Sequence, residues 1–446
     1  MQKELVILGA GESGVGAALL AKAKGIAVFV SDKGLIAPRF KEELLGAEIS
    51  FEEGQHSESR IMAASEVIKS PGIPDSAALI KALDAASIPV ISDIEFALRY
   101  TKAHIIGITG SNGKTTTTLW LHHILQSAGF DAVLSGNVGV SPCRRLAQSD
   151  PAIFVMELSS FQLDRMYNSR INTAIITNIT PDHLDRYNYR FEDYIEAKYR
   201  ILSNQTEQDN CIWSADDPTL KQSFRGDRTA ARSLPFALKA PAAAFVKGDN
   251  LHVEVGNAVL DMPLDKIALK GRHNLYNAMA LALAGLSLGV SPKVLIAGLS
   301  SFKGVEHRLE PCAELEGVLY INDSKATNVD STWYALESMS RPVVWIAGGT
   351  DKGNDYSVLK EFAKQKVRAL ICMGVDNRKL IQSFEGVIPE VISTDSLDKA
   401  LRAASNVAKK GDVILLSPAC ASFDLFKNYE ERGNLFRQKV MEMKKL

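Results

Sequence analysis

Apolar, β-branched runs at Leu5–Leu8, 27–30, 48–51, Glu66–Lys69 and 89–91 alternate with amphipathic stretches. Alternation of this kind predicts βαβ units on a mostly parallel sheet. A new unit opens near Asp93, with a helix over 94–100, an apolar run at 105–108, a glycine-rich turn and a helix over 114–128. Strands are predicted at 153–156 and 174–177. From 210 to about 270 the pattern is less regular, and the short alternating segments 252–255 and 259–262 predict antiparallel additions. After a long Ala/Leu helix at 274–288, the segment Ser301-Phe302-Lys303-Gly304-Val305 breaks the periodicity and reads as a linker. Beyond it, runs at 318–321, 343–346, 369–373 and 413–416 predict buried strands with helices between them.

Length agrees with this division. At 446 residues and about 150 residues per domain, the chain holds roughly three domains. Apolar residues make up 46% and charged ones 23%, a globular profile. The net charge of −1 argues against a basic nucleic-acid-binding surface as the global theme. The five cysteines (Cys143, Cys211, Cys312, Cys372, Cys420) are scattered with no C-x-x-C pair, which fits a reducing compartment better than a disulfide framework or a zinc site. The most apolar long run, 279–290, is too short to cross a bilayer. The N-terminal run reaches glycines and Glu12 without an exported-signal pattern, so a cytoplasmic protein is expected.

Two glycine turns carry candidate chemistry. Gly9-Ala10-Gly11-Glu12-Ser13-Gly14 follows a strand and opens a helix, and Asp32 closes the next strand. Glycines there let a diphosphate approach the backbone at a helix N-terminus, while an acid accepts from ribose or base. Whether the diphosphate belongs to NAD or to a UDP-sugar is open at this level. The second turn, Thr109-Gly110-Ser111-Asn112-Gly113-Lys114-Thr115-Thr116, has the shortened spacing G-x-x-G-K-T. Its amides can face phosphate oxygens, Lys114 supplies a point charge, and the Thr115 hydroxyl can ligate Mg²⁺, so an ATP site is expected. Glu157 at a strand end and Asp182-His183 in the turn after another strand are candidates for metal or base. Lys198 alone would read as an ordinary helix lysine.

Taken together, 109–118, 157–162, Asn178-Ile179-Thr180-Pro181-Asp182-His183-Leu184-Asp185 and Gly271-Arg272-His273-Asn274 resemble the Mur ligases, ATP-dependent amino-acid-adding enzymes of peptidoglycan synthesis. Within that family, the segments 322–328 and 417–424 look like those of the D-glutamate-adding branch. The resemblance spans essentially the whole chain. It implies an α/β fold of three domains: a Rossmann-like N-terminal domain (1–92) for the UDP substrate, a P-loop ATPase-like central domain with a mostly parallel sheet (93–300), and a Rossmann-like C-terminal α/β domain (301–446) for the amino acid. The implied substrates are UDP-MurNAc-L-Ala, D-glutamate and ATP, handled by a monomer without nucleic-acid partners. By the same resemblance, Ser13, Gly14, Asp32, Gly72 and Asn137 would line the UDP-substrate site. Gly110, Ser111, Asn112, Gly113, Lys114, Thr115, Thr116, Asn274, Asn277, Arg308 and Asp323 would bind ATP. Thr115 and Glu157 would hold one Mg²⁺, and His183 with Lys198, carbamylated by CO₂, a second. Lys114, His183 and Lys198 are the implied catalytic residues, while Lys325, Thr327, Lys352, Ser422, Phe423 and Tyr429 would hold D-glutamate. Lys33 and Gly34 stand where the family often has a hydroxyl and an arginine, and Phe423 where it often has leucine.

Overall fold

The computed structural model describes residues 4–224, 228–351 and 353–444. Three sheets organise it. The first has β1 (Leu5–Leu8), β2 (Val28–Asp32), β3 (Ser50–Glu53), β4 (Glu66–Lys69) and β5 (Val90–Ile91), all parallel, in the order β3-β2-β1-β4-β5. Strand order reverses at β1, where an open α/β sheet leaves a crevice beyond its carboxyl ends.

The second sheet contains β6 (His104–Thr109), β7 (Ala132–Gly136), β8 (Ile153–Glu157), β9 (Thr173–Ile176), β10 (Asn210–Ser214), β11 (Arg232–Phe236), β12 (Ala244–Lys247), β13 (Asn250–Val255) and β14 (Ala258–Pro263). Its order is β14-β13-β12-β11-β10-β9-β6-β8-β7. The strands from β7 to β12 run parallel, and β13 and β14 form an antiparallel extension, as the alternating pattern in that stretch implied. The third sheet runs β15-β16-β20-β17-β18-β19, with β15 (Glu310–Leu315), β16 (Val318–Asn322), β17 (Val343–Ala347), β18 (Val367–Met373), β19 (Glu390–Thr394) and β20 (Val413–Leu416). Only β15 is antiparallel in it.

The central strands of every sheet are buried along their whole length, as for β1, β8, β17 and β20. Helices on both faces of a parallel sheet require this continuous apolar character. Of the strands that the periodicity overlooks, β7, β15 and β19 lie at sheet edges, while β10, β11 and β12 lie inside the second sheet, in the stretch where the pattern is least regular. An edge strand keeps solvated positions and charges, as Glu310 and Glu314 in β15 and Glu390 in β19 illustrate, so its apolar signal is diluted. The apolar stretch 279–290 is core, not a membrane segment: Met279 to Ala284 are wholly buried. Among the described residues no helix is long and apolar enough to cross a membrane.

Compactness divides the chain into two units, Met1–Ala268 with Tyr276–Phe302, and Leu269–Leu275 with Lys303–Leu446. The first holds the first two sheets and the second holds the third.

Candidate active site

In the first unit, β6 ends at Thr109 and the helix Lys114–Ser127 begins five residues later, with the phosphate loop between them. Gly110 has φ +144°, and a Cβ there would stand 2.0 Å from Thr177 Oγ1, so only glycine fits. The segment after β9 laces the loop in place. Thr177 Oγ1 donates to the Asn112 carbonyl at 2.6 Å, and Asn178 Nδ2 donates to the same oxygen at 3.0 Å. Asn178 Oδ1 accepts from Asn112 N at 2.9 Å. Ser111 Oγ donates to Thr180 O at 2.7 Å, accepts from Thr180 N at 2.9 Å, and lies 3.1 Å from the Tyr194 hydroxyl. None of Thr177, Asn178, Thr180 or Tyr194 was singled out by sequence reasoning as a loop support. They come from the segment after a strand and from a helix distant in the chain; of the four, only Asn178 and Thr180 stood in a Mur-like segment.

Two lysines converge on one oxygen of this loop. Lys114 Nζ donates to Gly110 O and to Ser111 O, each at 2.8 Å. Lys198 Nζ, on the helix Phe191–Tyr199, donates to Gly110 O at 2.7 Å and is 1% exposed. Burial, helped by the nearby charge of Lys114, pushes the Lys198 amine well below the usual lysine range.

Glu157 closes β8 and is 2% exposed. Asn137 Nδ2 donates to its Oε1 at 2.9 Å, whereas Oε2 is buried with no hydrogen-bond partner among the described residues. A buried carboxylate oxygen left unpaired is costly unless a cation completes it. Among the described residues no group of three or more His, Cys, Asp or Glu side chains gathers to hold a metal. That is compatible with Mg²⁺, which takes one or two carboxylates and fills its octahedron with water and phosphate oxygens. His183 is exposed, has φ +52°, and packs edge-on against Phe161 at 5.3 Å, with Arg186 over the same ring at 4.3 Å. Asn277 approaches the loop, since a Cβ on Gly113 would lie 2.9 Å from its Oδ1.

At the end of β1 the other glycine turn is held just as tightly. A Cβ on Gly14 would stand 1.9 Å from Gly9 O, so the helix can start only where position 14 lacks a side chain. Asp32 accepts from Ala10 N and from Gly34 N, each at 2.7 Å, so its carboxylate ties the turn to the next loop. Gly72 sits in the loop after β4, close to Lys69, whose buried ammonium donates to Ile73 O at 2.7 Å.

In the second unit the loops at the carboxyl ends of β16, β17 and β20 meet. Asp323 accepts from Ser417 Oγ at 2.8 Å and from Leu309 N at 3.2 Å, and burial pushes its carboxyl up to about 7. His273, on Gly271-Arg272-His273-Asn274, is held down to about 4 by burial and by the charge of Arg308. Lys325 lies 5.4 Å over the Tyr429 ring, the Thr327 amide bonds back to Lys325 O at 2.9 Å, and Ser422 is buried. Phe423 is 68% exposed. Lys352 lies outside the described residues. Sequence reasoning missed Arg432, which the helix Tyr429–Met443 buries to 1% exposure. Its Nε donates to Ser324 Oγ at 2.9 Å and its Nη2 to Ser324 O at 2.8 Å, with Gly348 O and Cys420 O at 3.5 and 3.4 Å. One guanidinium thus bridges all three loops, and burial lowers its pKa to about 10.

Comparison with known proteins places this geometry. Residues 3–92 match the Mur ligase MurD-like N-terminal domain, 108–285 the Mur ligase middle domain, and 307–420 the Mur ligase glutamate ligase domain. The chain is 52% identical over 447 residues to a UDP-N-acetylmuramoylalanine--D-glutamate ligase of Porphyromonas gingivalis, covering 99% of each. A protein of the same name from Bacteroides thetaiotaomicron is 48% identical over 443 residues, covering 99% of this chain and 100% of that one. Among solved structures, the UDP-N-acetylmuramate-alanine ligase MurC of Thermotoga maritima shares the fold, with a TM-score of 0.63 at 20% identity over 99% of both chains. The chain belongs to the Mur ligase family.

Proposed function

We propose that this chain joins D-glutamate to UDP-N-acetylmuramoyl-L-alanine, with cleavage of ATP to ADP and phosphate. The observation that carries the reading is the braced phosphate loop, with Lys114 and Lys198 on one carbonyl and Glu157 holding an unpaired buried oxygen. The work is divided among 1–92 for the UDP substrate, 93–300 for ATP and 301–446 for the amino acid.

In the proposed reaction the L-alanyl carboxylate attacks the γ-phosphorus of ATP. An acyl phosphate and ADP form; the amine of D-glutamate then adds to the acyl carbon, and the tetrahedral species expels phosphate. Both partners of the first step are anions, so the site must supply positive charge where they meet. Lys114 brings a point charge on the loop that would wrap the phosphates, and the amides of 110–116 orient them. Thr115 and Glu157 would hold one Mg²⁺, and His183 with Lys198 a second. Bound there, Mg²⁺ would supply charge neutralisation between carboxylate and phosphate. Lys198 suits this role only as its carbamate: burial, which lowers its pKa, favours the uncharged amine that can add to CO₂, and the product offers oxygen ligands to a hard cation. Asn274, Asn277, Arg308 and Asp323 would complete the ATP site. Ser13, Gly14, Asp32, Gly72 and Asn137 would serve the UDP substrate. For D-glutamate the reading assigns Lys325, Thr327, Lys352, Ser422, Phe423 and Tyr429, with Arg432 fixing the loops that carry several of them.

Phosphate release measured with UDP-MurNAc-L-Ala and a panel of L- and D-amino acids tests the reading. Turnover is expected with D-glutamate, falling in CO₂-depleted buffer as Lys198 loses its carbamate. Turnover with L-lysine or meso-diaminopimelate but not D-glutamate would overturn it.

A further inference from the structure

The backbone around His183 is bent at a cost. His183, Asn188 and Tyr189 take left-handed angles, φ +52°, +52° and +59°, on either side of the 3₁₀ turn Leu184–Tyr187. Residues other than glycine hold such angles only where their surroundings impose them, and they gather where a side chain must be aimed. The side chain aimed here is Arg186. It is half-buried, its guanidinium lies over the Phe161 ring 4.3 Å from the centre, and His183 meets the same ring edge-on at 5.3 Å. From the other side, its Nη2 reaches Pro71 O at 3.4 Å, in the loop after β4 that carries Gly72. One cation therefore stands between the turn of His183 and the loop of Gly72.

The acids around it are already committed. Arg165 pairs with Asp75 at 2.8 Å and with both oxygens of Asp84 at 2.8 and 2.9 Å. Lys69, buried and bonded to Ile73 O, stands 3.6 Å from Asp75. Asp164 accepts from the Tyr187 hydroxyl at 2.8 Å and has Arg200 at 3.8 Å. Asp182 accepts from His183 N at 2.9 Å and stands 3.7 Å from His183 Nε2. Arg186 forms no ion pair with any described residue, and the long contact to Pro71 O is its one hydrogen bond among them. A guanidinium carries five N–H donors. Most of them are unspent, on a charge that the ring holds in place.

An anion completes such a group, and the proposed substrate has two anionic parts. Its diphosphate is assigned to the Gly9–Gly14 turn, whereas its alanyl carboxylate must come to the phosphate loop. Arg186 stands three residues from His183 and shares its aromatic support, which puts the guanidinium at the reacting end. The planar fork matches a carboxylate with two parallel bonds. We propose that Arg186 receives the carboxylate of the L-alanyl end and holds it beside His183, which makes it a specificity-determining residue for a substrate that ends in a carboxylate. The oxygens so held keep lone pairs for attack on phosphorus, and the cation reduces the repulsion between the two anions. This rests on the reading that the chain takes UDP-MurNAc-L-Ala.

The test is titration calorimetry of the whole protein, without nucleotide or Mg²⁺, using UDP-MurNAc-L-Ala and the same molecule ending in a carboxamide. The two share the diphosphate and differ in the terminal charge. Wild type is expected to bind the acid roughly tenfold to hundredfold more tightly, the worth of a charge-assisted pair. Arg186→Gln is expected to bind both alike, at the affinity wild type has for the carboxamide, while its affinity for a non-hydrolysable ATP analogue with Mg²⁺ stays at the wild-type value. Arg186→Lys, which keeps the charge without the fork, is expected to retain part of the preference. A wild type that does not distinguish the two ligands would overturn the proposal and leave the substrate assignment standing. So would a full preference in Arg186→Gln, even with both ligands bound more weakly, because the guanidinium would then serve the diphosphate or the 71–73 loop. Failure of the wild type to bind either ligand would overturn the substrate assignment as well.

Discussion

Thr177→Val isolates what the loop brace contributes. Valine keeps the branch and the shape at the end of β9 but deletes the hydroxyl that donates to Asn112 O at 2.6 Å. The Asn112 carbonyl retains its bond from Asn178 Nδ2 at 3.0 Å, so it is not left bare in the interior. The loss is therefore the net value of one hydrogen bond, about 1 kcal/mol, not the larger penalty of an orphaned acceptor. If the loop must hold its shape to bind nucleotide, that energy appears as a roughly fivefold rise in the Kd of a non-hydrolysable ATP analogue, about 1 kcal/mol on the affinity scale. Titration calorimetry measures it directly, and the steady-state KM for ATP should follow. Binding of the UDP substrate should not change. Wild-type nucleotide affinity in the variant would refute the idea that 177–180 pre-shapes the loop.

Two further outcomes follow from buried charge in the second unit. Asp323 has a folded pKa of about 7 against about 4 when unfolded, so its contribution is fully present below about pH 4 and up to about 4 kcal/mol is lost as pH rises through 7. Asp323→Asn has no proton to lose there; in thermal unfolding scans its stability relative to wild type should improve from pH 4 to pH 8, and a constant difference would contradict the raised pKa. Arg432→Lys keeps the charge but cannot reach Ser324, Gly348 and Cys420 at once. It should destabilise the second unit by about 2–4 kcal/mol in the same scans and raise the KM for D-glutamate more than that for the UDP substrate; unchanged stability would remove the guanidinium as the loop bridge.

What could be read from the chain beforehand was what lies contiguous in it. The phosphate loop was legible because its glycines, lysine and threonines are neighbours whose order alone states their chemistry. So were the central strands that are buried on both faces and apolar throughout, such as β1, β8, β17 and β20, whereas the mixed strands β10 and β11 were not. The bracing of that loop was not, because Thr177 and Tyr194 reach it from 65 and 83 residues away. Arg432 was invisible for another reason. It stands in the polar run Tyr429-Glu430-Glu431-Arg432-Gly433, where composition describes a solvated helix start, and only the packing of three loops around it reveals an interior cation. Lys198 was selected by resemblance alone, since its amphipathic helix gives no sign that the lysine points inward.

The carbonyl of Gly110 serves as a common seat for Lys114 and Lys198. Whatever draws one amine away changes the hydrogen bonding, and hence the basicity, of the other. The two lysines therefore behave as one electrostatic element, not as separate tools. Their single substitutions should not add, and the difference from additivity measures how strongly events at the nucleotide are felt at the second amine.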